Sequence, residues 1–80
     1  MYAEKIEKLE NEIQEIKKYI KADKKEIKKR EKILSMLVDN DTMVVDNDLE
    51  VEILLYKEEI EKFTNELKTR KQLVKNYKKL

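Results

Sequence analysis

The chain of 80 residues contains no cysteine, histidine, glycine, proline or tryptophan, and only four tyrosines and one phenylalanine. Without cysteine there is no disulfide, no thiolate nucleophile and no soft metal site. Without histidine the commonest general base and most transition-metal sites are gone as well. The missing glycine and proline are the residues that punctuate mixed folds, so long uninterrupted helices are what the composition favours. An excess of one charge is also lacking: the net charge is +1, and no global field draws in nucleic acid, an anionic membrane or an acidic substrate. No apolar run is long enough to span a bilayer, and the first residues lack the apolar core of a signal peptide. The expectation is a soluble, cytoplasmic protein with no membrane partner, no cofactor and no enzymatic activity.

What the chain does have is pattern. Charged residues make up 46% of it and hydrophobic residues 40%, a balance that leaves a chain disordered unless its apolar residues share a face. Here they do. Tyr2, Ile6, Leu9, Ile13, Ile16, Ile20, Ile27, Leu34 and Leu37 recur at spacings of three and four, placing Ile6, Ile13, Ile20, Ile27 and Leu34 at heptad position a and Tyr2, Leu9, Ile16 and Leu37 at d. The d positions that break the pattern are Asp23 and Arg30. Polar residues there weaken a seam and can fix its register; the simpler expectation is that both snorkel or fray outward at a wide seam. A second heptad runs through Leu49, Ile53, Tyr56, Ile60, Phe63, Leu67, Val74 and Tyr77, with Arg70 polar at d.

The two heptads do not share a phase. Continuing the first would put Leu55 at a, whereas the second needs Ile53 there, so the chain must break between them. Asp39, Asn40, Asp41 and Thr42 supply the break, because their side chains compete for backbone hydrogen bonds and Asn40 tolerates a left-handed C-cap. Asn47 with Glu50 three residues on reads as a capping box opening the second helix. The spacing predicts one domain over 1–80, with helices over about 3–38 and 47–79 and a turn over about 39–46. The expected architecture is an all-α antiparallel helical hairpin of coiled-coil type, each helix roughly 50 Å long at 1.5 Å per residue.

Charge supports that folding in blocks. Residues 1–16 sum to −3, 17–32 to +6, 33–56 to −6 and 57–80 to +4, so an antiparallel hairpin lays opposite signs side by side. In detail the support is mixed. Glu12, Glu26, Glu52, Glu59 and Glu66 all fall at g, and antiparallel pairing brings g edges together, which predicts a like charge beside Glu26. Parallel pairing of two copies would instead match most g charges with opposite e charges, adding to the case for a homodimer. A small domain also buries a low fraction of its surface, and near the turn Ile33, Met36, Val38, Val51, Leu54 and Leu55 lie outside a and d. These six are the candidate self-association residues, closing a four-helix bundle.

Three constellations remain. Asp39, Asp41, Asp46, Asp48, Glu50 and Glu52 cluster around the turn but lack the EF-hand glycine and spacing, so capping and solvation account for them and no metal is expected. Lys18, Lys21, Lys25, Lys28, Lys29 and Lys32, within a basic run over 17–32, could track phosphates, although the run has almost no arginine and one aromatic. Met43, Val44 and Val45 form an apolar tip flanked by acids, a candidate docking epitope for a larger protein or else a plug for the bundle end. Ser35 has no partner base and reads as a helix serine. The function expected is a small regulatory protein-binding module acting on an unidentified protein partner, with nucleic-acid binding through the lysine face as the alternative. The lysine, isoleucine and asparagine bias suits a bacterial or phage genome rich in A and T.

Overall fold

Helical heptads of this length need a partner to bury their stripe, because isolated helices in water draw little stability from propensity alone. In the computed structural model, which describes residues 2–39 and 47–80 and the side chains of all of these except 38, 39 and 47, the two helices supply that partner to each other. Helix α1 spans Ala3–Asp39 and helix α2 spans Asn47–Lys79; α1 thus ends one residue beyond the expected 38. Both open on carboxylates, Glu4 in α1 and Asp48 with Glu50 in α2, which suit the positive end of a helix. Helix α2 closes on Lys78 and Lys79, the matching charge for its negative end. Its last turn tightens where the Leu80 N–H donates to the Tyr77 carbonyl at 3.2 Å.

Contacts between the helices fix their direction. The rings of Tyr2 and Tyr77 lie 5.3 Å apart, those of Tyr19 and Phe63 5.6 Å apart, Glu12 meets Arg70 at 2.9 Å and Arg30 meets Glu52 at 2.7 Å. As one partner advances along α1 the other retreats along α2, so the hairpin is antiparallel. The register is constant: from Glu12 to Arg30 is eighteen residues forward, and from Arg70 to Glu52 is eighteen back.

The core is the seam the heptads describe. Ile13, Ile16, Ile27, Ile53 and Val74 are buried, while Ile6, Ile20, Leu34, Ile60 and Leu67 at a, and Leu9, Leu37, Leu49, Tyr56 and Phe63 at d, are half-buried. Among the described residues no large side chain is fully buried, as expected when two helices must cover each other without a third. The result is a rod of 63 × 14 × 14 Å with a radius of gyration of 18.3 Å, against roughly 12 Å for a compact domain of this length. No helix among the described residues is long and apolar enough to cross a membrane.

The Asn40 stop and the tip of Met43, Val44 and Val45 lie outside the described residues, and the side chains of Val38 and of Asn47 in the capping box lie outside the described side chains.

Candidate functional site

Each arginine at d becomes the hub of a carboxylate cluster. The Arg30 guanidinium donates to Glu26 at 2.7 Å, one turn earlier on α1, and to Glu52 at 2.7 Å across the seam. It also donates to the Glu26 carbonyl at 3.1 Å and lies over the Tyr56 ring, 4.8 Å from its centroid. Arg70 repeats the arrangement from the other helix. It meets Glu66 one turn earlier at 3.9 Å and Glu12 across the seam at 2.9 Å. A guanidinium suits this role because its planar fork can serve two carboxylates and stack on a ring at once.

These contacts bear on two expectations. Arg30 snorkels: its side chain keeps 20% of its surface exposed, its aliphatic stem lying in the seam while the head reaches the rim. Glu26 does lie near a like charge from α2, as expected, because it shares the Arg30 guanidinium with Glu52. Arg30 bridges the two carboxylates, and Glu26 also meets Lys29 within α1. Hydrogen bonding from Arg30 and the nearby Lys29 charge hold its carboxyl below the usual glutamate range, and the same carboxylates raise the Arg30 guanidinium above its ordinary value. Sequence reasoning missed the pairing of g with d. The sequence carries only the half of each cluster that lies within one helix, Glu26 four residues before Arg30 and Glu66 four before Arg70, the favourable order for a helical ion pair.

A like-charge contact with no arginine between falls on Asp23, the remaining polar d position. Asp23 is 8% exposed, the one buried charged residue among those described, and its Oδ2 has no hydrogen-bond partner. Seven residues before Arg30, it faces Glu59, seven residues after Glu52. Burial pushes its carboxyl above the usual aspartate value, and a hydrogen bond to the Glu59 carboxyl, the Glu59 charge and the Glu26 charge push the same way. Where two d positions are arginines each flanked by two glutamates, the third is an acid facing an acid. The outward turn expected at Asp23 does not occur, because a d side chain this short cannot reach past the seam to water.

On the surface, Ile33, Met36, Val51, Leu54 and Leu55 are exposed, Leu55 at 58% and Met36 at 57%. They cluster at the turn end, Val51, Leu54 and Leu55 as a stripe one helical turn long on α2. Beside them Arg30, Glu52, Leu55, Tyr56 and Glu59 line a shallow hollow of about 310 Å³. The lysines Lys18, Lys21, Lys25, Lys28, Lys29 and Lys32 are all exposed. Among the described residues only Lys29 of these six holds an ion pair, at 3.5 Å to Glu26. Asp48, Glu50 and Glu52 of the acidic turn cluster are exposed on α2, and Glu52 is engaged by Arg30; the others lie outside the described side chains.

No protein-family model, no curated protein and no solved structure matches the chain. The geometry therefore carries the functional reading alone.

Proposed function

We propose that the chain is a small, non-catalytic protein-interaction module, an inhibitor, adaptor or assembly factor that self-associates through its turn end and acts by occupying a surface of a larger protein. The observation that supports this is the exposed apolar cluster of Ile33, Met36, Val51, Leu54 and Leu55 on a hairpin whose seam residues are otherwise covered. Exposed apolar residues gathered at one end of a molecule mark interaction sites on monomeric proteins. A second copy is the natural cover, since it doubles the burial available to a two-helix rod and closes a four-helix bundle. The tip of Met43, Val44 and Val45 is then the contact for the larger protein.

The test is solution mass across a dilution series with helicity followed in parallel. The expected result is a dimer that loses helix content as it dissociates, with Met36→Ser and Leu55→Ser each raising the dissociation constant about tenfold, the loss of one buried apolar side chain. A chain that stays helical and monomeric at every concentration overturns the self-association. Replacing Met43, Val44 and Val45 by serine should abolish capture of the larger partner while leaving the dimer intact; undiminished capture removes the tip from the reading.

The second reading is nucleic-acid binding by the exposed lysine face. What favours it is that Lys18, Lys21, Lys25, Lys28 and Lys32 hold no ion pair among the described residues. Charge reversal at Lys21, Lys25 and Lys28 separates the two: loss of salt-sensitive retention on nucleic acid supports this second reading, since phosphate contacts are screened by salt, and absence of retention in the parent chain eliminates it.

A further inference from the structure

The hairpin is two-sided along its whole length. Lys5, Glu12 and Tyr19, at g of α1, touch Tyr77, Arg70 and Phe63, at d of α2, and Glu52, at g of α2, touches Arg30. The g edges of both helices therefore lie on one side, while the pair of Glu10 with Lys78, both at e, marks the other. On the g side the exposed g and c positions include Tyr19, Ala22, Ile33, Met36, Leu55 and Leu73. On the e side, among the described residues, the e and b positions expose a single large apolar residue, Leu54.

We propose that a second copy of this chain covers the g side in the antiparallel sense, so that the two turns lie at opposite ends of a four-helix bundle. This rests on the self-association reading and deepens it from a contact at the turn end to one along the whole rod. The twofold axis crosses the hairpin at Ala22, which the register of the ion pairs places level with Ile60. About that axis a residue so many places before Ala22 meets one as many places after it on the second copy. Glu15, seven before, meets Lys29, seven after. On α2, Glu59 and Lys62 straddle Ile60 and meet within about one residue, some 1.5 Å along the axis. Each of these opposite-charge pairs forms twice by symmetry.

Among the described residues Glu15, Glu59 and Lys62 hold no ion pair within the hairpin, Glu59 shares a hydrogen bond with the Asp23 carboxyl, and Lys29 holds only its 3.5 Å contact to Glu26. Ala22, the small side chain at the crossing, lets the two α1 helices approach. Met36, fourteen residues after Ala22, comes level with Lys8 of the second copy, over a hollow of about 220 Å³ lined there by Leu9, Leu73 and Tyr77 among others. The opposite arrangement, with both turns at one end, brings Glu15 within one residue of Glu66, a like-charge contact, while Lys29 comes within one residue of Glu52, which Arg30 already engages. A face of 63 × 14 Å offers about 900 Å², enough for the roughly 800 Å² per partner of a stable interface.

The absence of cysteine makes the test direct. In Ala22→Cys, air oxidation of the folded chain should give a disulfide-linked dimer as the main species, and Met36→Cys should give little. Linking of Met36→Cys without Ala22→Cys overturns the antiparallel arrangement while leaving self-association in place; a parent chain that is monomeric throughout overturns both. Charge exchange is the second arm. Glu59→Lys should weaken self-association about tenfold or more, because two pairs turn repulsive, and adding Lys62→Glu should restore it. Glu59→Lys also relieves Asp23 within the hairpin, so a looser dimer built from a more stable monomer is the expected signature; an unchanged dimer, or one the second substitution does not rescue, overturns the proposal.

Discussion

Asp23→Leu is expected to stabilise the hairpin by about 2 kcal/mol, the value of burying a leucine side chain that would otherwise meet water. For a chain of this size that corresponds to a rise of roughly 10 °C in the melting temperature, read by circular dichroism at fixed protein concentration. Two effects add. Asp23 is 8% exposed with one carboxylate oxygen unpartnered, and an uncompensated buried polar atom costs stability that its removal returns. Leucine at d is also the residue a two-stranded seam accommodates best. Asp23→Asn divides the two contributions, since it removes the charge and adds no apolar surface. An Asp23→Leu chain less stable than the parent would mean that the acid is held by a compensating contact.

The same site sets the pH dependence. The folded value of the Asp23 carboxyl is raised above its ordinary value of 3.8, so the folded chain binds the proton more tightly than the unfolded chain. The penalty of the charged form is therefore fully present above the raised value, and it fades as pH falls through that value toward 3.8. Glu26 runs the other way: its folded value is lowered, and its contribution is present above the ordinary glutamate value and lost as pH falls through the folded one. Mild acidification should first raise the melting temperature and stronger acidification then lower it, as Glu26 protonates and its hydrogen bond from Arg30 is lost. In Asp23→Asn the initial rise should vanish and the later fall remain. A parent chain whose stability only declines from neutral pH downward would show that Asp23 ionises without penalty.

What the sequence made legible was the periodic part of the molecule. Spacings of three and four located both helices and every apolar residue of the seam, because burial in a two-helix rod depends on little except angular position. The phase break between Leu37 and Leu49 announced the reversal for the same reason. The polar d positions were harder to read, since a heptad says only that such a residue faces the partner helix. Whether it escapes depends on its reach: Arg30 and Arg70 are long enough to bury a stem and bring the guanidinium to the rim, and Asp23 is not. The pairing of g with d was also hidden, because it follows from the axial offset of the two helices, which the turn sets. The sidedness of the exposed apolar residues emerged only once that offset was known.

Ile27→Ala carries the largest expected loss. Ile27 is 8% exposed at a, and in the register of the hairpin it packs at the level of Ile53, also 8% exposed. Truncating a buried isoleucine costs about 2–5 kcal/mol, the lost transfer energy plus the void left where neighbours cannot close in. A scaffold of this size seldom has more than about 3–5 kcal/mol in total, so the variant should lose most of its helicity at low concentration, whereas Gln14→Ala, at an exposed position, should stay within about 0.5 kcal/mol. Concentration then becomes informative. If a second copy covers the g side, association stabilises the folded form by mass action, and Ile27→Ala should regain helix as the protein is concentrated. If the variant stays unfolded at every concentration, the seam alone holds the rod together, and the exposed face of Tyr19, Ile33, Met36 and Leu55 contributes nothing to folding.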